Sequence, residues 1–423
     1  GFEGGFTATS ITTYGRGYDI SFTGAATQVL GSALTAFANT GTLTLGNEYA
    51  DTLTFTNGIS HTIAAHDRET HLGGQLSTTN TEVTFDNLTL DTNAEITSGT
   101  ANVSIMGITT GNANTLTITG DADFTGTIDD ITALNITGPA EFNGAVTNIG
   151  TLEVNGNAVI NNTITSTGSI EVTGNTTINT TTITTTGTQT YTGNVTLVTD
   201  VTLTTDNLTA QNISMGNDLN GGNNSLIISG GNFALTKVTA PVIANLPTLR
   251  FTGANTQSFD PGGAAFNNII FETANPINIT SAFDAAGNIT VNNSALILTF
   301  TDTAAFEQTD TDALFTITSG TVNVGTGQFI CGTLSAALGT SFTQTGNNGL
   351  NEQSAEWITN GDGAINWDNG TNGGTLSLGR CESDNIDFHN KEVTISAVTI
   401  ILSGTFFDLI VPDFCTLTLG TNL

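Results

Sequence analysis

The sequence predicts an all-β chain wound as a parallel β-helix, a solenoid of roughly 18- to 20-residue turns with almost no α-helix. Three observations predict it. Four consecutive stretches, 115–131 (TLTITGDADFTGTIDDI), 133–149 (ALNITGPAEFNGAVTNI), 151–167 (TLEVNGNAVINNTITST) and 169–186 (SIEVTGNTTINTTTITTT), repeat one pattern at an even step. Within each copy the alternation has period two: Leu116, Ile118, Gly120, Ala122, Phe124, Gly126 and Ile128 are apolar or glycine, and nearly all residues between them are Thr or Asp. That is the periodicity of a strand with one buried face. The composition, with 49 Gly, only 6 Pro, abundant Thr and Asn and no long Ala/Glu/Lys/Leu stretch, suits short strands joined by tight corners.

The columns follow from the repeat. Leu116, Leu134, Leu152 and Ile170 should stack, as should Ile118, Ile136, Val154 and Val172, then Gly120, Gly138, Gly156 and Gly174, then Phe124, Phe142, Ile160 and Ile178. A step this short cannot contain a crossover helix, so each copy must wind round and lie parallel to the next. A hydrophobic content of 37% with 10% charged residues is too apolar for a disordered chain and sufficient for a continuous narrow core.

Along the chain, residues 1–80 form a less regular β section in which 41–46 (GTLTLG) and 51–58 (DTLTFTNG) already alternate; residues 81–330 form the β-helix stalk; and residues 331–423, with all the Cys and both Trp, form a distinct C-terminal section. The whole is expected to be one elongated body with modified ends. An inserted residue around Thr180 to Thr182 sets Gly193 one position later than the step from Gly156 to Gly174 would, a slip that an outward corner absorbs. A second family of turns opens at Thr248, and its TQSF at 256–259 echoes TQTY at 188–191.

The net charge of −31, from 6 Lys+Arg against 37 Asp+Glu, argues against nucleic acid and against anionic lipid, both of which need clustered basic side chains. No membrane insertion is expected, because the most apolar segment, Val398 to Val411, is interrupted by Ser403, Gly404, Thr405 and Asp408. The start at Gly1, without a basic-then-apolar leader, fits a processed secreted protein or a piece of a longer one. An extracellular or cell-surface location is expected. Cys331, Cys381 and Cys415 make an odd number, compatible either with one disulfide and a lone thiol or with three unpaired thiols. The triplets beginning at Asn87, Asn135, Asn194, Asn207, Asn278 and Asn288 are glycan acceptors only in a host with that machinery, and so much Asn and Thr produces them by chance.

The run 184–205 (TTTGTQTYTGNVTLVTDVTLTT), the phrase 255–271 (NTQSFDPGGAAFNNIIF) and the stretch 146–161 (VTNIGTLEVNGNAVIN) resemble the β-helical repeats of bacterial surface proteins of the filamentous-haemagglutinin and autotransporter-adhesin type, over residues 80 to 350. The resemblance implies export, a right-handed β-helical stalk and a role in attachment, biofilm or surface coating. The Asn-Pro-Asn-Gly that marks the secretion domain of two-partner haemagglutinins is missing, which leaves the export route open.

Five groups of residues invite chemistry. His61, His66, Asp67, Glu69 and His71 place three of the four histidines within one short segment; on a strand, Asp67, Glu69 and His71 share a face and could hold a metal or polarise a substrate, or the cluster is simply a polar loop. Asp123 with Glu141, and Glu153 with Glu171, fall in outward columns about 5 Å apart, which invites a cation or leaves two solvated carboxylates. The segment 215–224 (MGNDLNGGNN) offers oxygen ligands beside glycines but fits no calcium-loop spacing. Calcium is thus the candidate cofactor, and none is required. Trp357 and Trp367 form either a sugar platform or plugs in the core, and the three cysteines are disulfide or thiol candidates.

The function expected is that of a non-enzymatic structural protein, a filament subunit or adhesin stalk. The strand alternation at 416–423 resembles that at 41–47 and lacks a charged or helical cap, so copies are expected to partner one another end to end or by strand donation. Cell-surface glycans are further candidate partners. The alternative is a carbohydrate-binding or polysaccharide-degrading β-helix, supported by the histidine and tryptophan segments.

Overall fold

A computed structural model describes residues 1–206, 211–301, 304–310, 312–324 and 329–331, the side chains of Ser166 and Ile330 excepted; beyond 331 it gives the backbone of short strands alone. Among the described residues every regular element is a strand, and the strands pair in parallel as a β-solenoid of about 16 turns. The chain divides into two compact units, 1–199 and 200–423.

In the first unit the predicted columns are the observed ladders. Leu116 pairs with Leu134, Leu134 with Leu152 and Leu152 with Ile170. Phe124, Phe142, Ile160 and Ile178 form a second ladder. All eight side chains are buried, and each such burial contributes about 2 kcal/mol. The rings of Phe124 and Phe142, paired at the same height on successive turns, stack with centroids 5.8 Å apart. The predicted slip is also present: beyond it Ile170 pairs with Gln189 and Thr176 with Val195, each partner one position later than in the turns before.

Elsewhere the turns are longer. Leu43 pairs with Thr70, because corners such as 46–51 and 62–68 carry extra residues. The Asp51 carboxylate accepts hydrogen bonds from the Asn47 and Glu48 amides and so holds the first of these corners. The short, regular step runs through the ladders from Thr115 to Leu197. In the second unit the step lengthens again, Val201 pairing with Leu226 and Phe233 with Phe259. There the core becomes aromatic. Phe251, Phe259, Phe283, Phe306 and Phe329 lie in a chain of ring contacts with centroids 4.9 to 5.9 Å apart, filling turns that hold more residues and therefore a wider interior.

Candidate functional site

The histidine segment is a strand, a loop and a strand: Ile59–His61, residues 62–68, and Glu69–Leu72. His61 points into the core, where its Nδ1 meets the Thr70 hydroxyl at 3.0 Å and its Nε2 the Asn39 carbonyl at 3.3 Å. Burial holds its pKa below the ordinary value, with a smaller push in the same direction from the Arg68 guanidinium; the Asn39 carbonyl and Asp86 oppose it. Arg68 reaches back beneath the loop and donates to the carbonyls of Phe37, Thr62 and Ala38 at 2.7 to 3.0 Å. Asp86, buried one turn further on, accepts from the Ile63 amide at 2.8 Å and faces His66 Nδ1 at 3.0 Å. Loop 62–68 is therefore staked from both sides.

The five predicted metal residues are thus spread over different surroundings. Glu69 and His71 do share the outer face of their strand, as period two requires, but Asp67 sits in the loop. His71 Nδ1 bonds Asp91 at 2.7 Å and Glu69 accepts from the Thr89 hydroxyl at 2.6 Å. Among the described residues no three His, Cys, Asp or Glu side chains converge as a metal site.

The carboxylate columns are where the register places them: Asp123 lies opposite Glu141 and Glu153 opposite Glu171. Amides reach these carboxylates. Asn143 donates to Asp123 at 3.1 Å, Asn161 to Glu141 at 3.0 Å and Asn155 to Glu153 at 3.2 Å. Asp123 is pushed up from the usual carboxylate value by burial and, less, by Glu141, while the Asn143 amide holds it down. The ladder continues as Asn161 donates to Asn143 at 2.8 Å and Asn179 to Asn161 at 3.3 Å.

In segment 215–224 the side-chain oxygens of Asp218 and Asn220 are already engaged. Asp218 pairs with Lys237 at 2.5 Å and accepts from the Val242 amide at 2.8 Å, and the ammonium first, then that amide, hold its carboxyl low. Asn220 accepts from the Gly222 amide at 3.0 Å. Cys331 is buried. The side chains of Trp357, Trp367 and Cys381, and Cys415 altogether, lie outside the described residues.

One feature of the second unit escapes the sequence reading. Leu219–Asn220 pairs with Ile243–Ala244, and Ala265–Phe266 with Phe283–Ala285, yet the two pairs belong to separate sheets. The neighbouring faces of the same turns stay paired, Leu226 to Leu249 to Ile269 and Phe233 to Phe259 to Ile279. Between Ile243–Ala244 and Ala265–Phe266 lies a cleft of about 350 Å³, rimmed by Asn223, Asn245 and Asn267 and floored by Leu246, Pro247 and Phe266. Two sequence signals mark it: the even step between those three asparagines, and Pro241 and Pro247 on either side of Ile243–Ala244 with Pro261 ahead of Ala265–Phe266, residues that carry no N–H to donate. The chain matches no family model, no curated protein and no solved structure.

Proposed function

We propose that the protein is a non-enzymatic structural element of the cell exterior, a filament subunit or the stalk of a surface adhesin, whose copies join end to end or by strand donation. The observation that carries this reading is where the reactive side chains are spent. His61, Arg68, Asp86 and Asp218 all bond to neighbouring turns or corners, and the asparagine ladder ties one turn to the next. Groups used in this way hold a scaffold in register. The scarcity of Lys and Arg suits a surface that does not adsorb nucleic acid or anionic lipid.

Two experiments test it. Antibody labelling of intact source cells should detect the protein outside; labelling only after lysis overturns the location. Incubation with acidic and neutral polysaccharides, with and without calcium, should give no turnover. Turnover abolished by His66→Ala or Asp67→Ala overturns the structural assignment. Electron microscopy then separates filament from stalk.

A further inference from the structure

We propose that the cleft between Ile243–Ala244 and Ala265–Phe266 binds a neutral oligosaccharide. Its rim carries three exposed asparagines. A primary amide offers donors and an acceptor on one plane, the complement of a pair of neighbouring sugar hydroxyls. Asn245 Nδ2 donates to Asn220 Oδ1 at 3.3 Å, whereas the Asn223 and Asn267 side chains make no hydrogen bond among the described residues, which leaves both amides for a ligand. The half-buried Pro247 and the exposed Ala265 and Ala286, over the buried Leu246 and Phe266, supply apolar carbons for the C–H face of a pyranose. A volume of about 350 Å³ lies within the range of small-ligand sites and admits a short saccharide.

Charge narrows the ligand class. Among the described residues no charged side chain lines the cleft, and a chain of net charge −31 repels uronate or sialate sugars. Geometry narrows it further. Asn223 and Asn245 lie on one side of the unpaired gap and Asn267 on the other, so a saccharide seated in it can meet amides from both sides. The rim is held in place by the ladder, with the Asn223 amide donating to the Asn245 carbonyl at 2.8 Å and the Gly221 amide to the Ala244 carbonyl at 2.7 Å, so little is lost in ordering it. A peptide strand fits less well, because the neighbouring faces of these turns remain paired and tie the two sides of the gap together. This site is independent of whether the chain forms filaments or stalks.

The test is an array of neutral hexose and N-acetylhexosamine oligomers printed beside uronate- and sialate-containing glycans, probed with the full chain. The wild type should be retained on neutral spots. Asn223→Ala combined with Asn267→Ala should weaken that binding about ten-fold, and Ala286→Trp, which fills the cleft from an exposed lining position, should abolish it. An unchanged melting temperature shows that each variant is folded; should the alanines lower it, the near-isosteric Asn223→Asp and Asn267→Asp replace them. Binding to no neutral glycan, binding confined to charged glycans, or binding that survives both variants overturns the proposal.

Discussion

The imidazole of His61 is enclosed among Thr70, Asn39, Arg68 and Asp86, and burial keeps it neutral below the ordinary value of 6.5. In the unfolded chain the same ring takes up a proton as the pH falls through about 6.5, so unfolding gains a proton that the folded state refuses. Stability from this residue is thus complete above that pH and is lost below it. His61→Gln, which retains an amide donor and acceptor, should flatten the fall in melting temperature between pH 7.5 and pH 5.5, as followed by circular dichroism. Asp123 behaves in the opposite sense. Its folded carboxyl holds a proton more tightly than the unfolded one, so its ionisation opposes folding once the pH rises through the folded value. Asp123→Asn should raise the melting temperature at pH 7 while the amide oxygen keeps the bond from Asn143, and the gain should vanish near pH 3.

At the scale of the turn, what holds neighbours together is identity of position. A corner glycine shows how tightly: a Cβ on Gly144 would come within 1.8 Å of the Gly126 carbonyl oxygen on the turn before, and one on Gly126 within 1.9 Å of that of Gly107. Gly144→Ala must push two corners apart and should cost about 3 kcal/mol in urea unfolding, whereas Gly4→Ala, with nothing near, should cost little. The columns of Leu134 and Phe142 are legible in the sequence because equal turn length makes counting along the chain equivalent to stacking. The place of Asp67 is not, because it sits in loop 62–68, which breaks the period that Glu69 and His71 keep. Corner geometry is legible only afterwards: Asn112, Asp130 and Asn148, at equivalent places in successive turns, share a left-handed backbone with φ of 50° to 57°, which short polar side chains tolerate. The cleft stays hidden for a related reason, since Pro241, Pro247 and Pro261 read as turn signals and only the ladders show which pairing is missing beside them.

For the whole molecule the dominant long-range term is its own charge. A net charge of −31 makes the compact state repel itself, and the described ion pairs of Lys237 with Asp218 and Arg250 with Glu272 neutralise little of it. Raising the salt from about 0.01 M to about 1 M shortens the screening length from about 30 Å to about 3 Å. The melting temperature should therefore climb with sodium chloride, as read by scanning fluorimetry; a fall would mean that local ion pairs outweigh the global repulsion.

Because partners between Thr115 and Val172 follow one another at a constant step, excising a single step, 133–150, would set Leu116 directly against Leu152 and Phe124 against Ile160, with every inward residue still inward. A duplication of the same segment would be equally silent. Recombination between such copies can therefore lengthen or shorten the protein in whole steps, so that reach can evolve without any new packing solution having to be found.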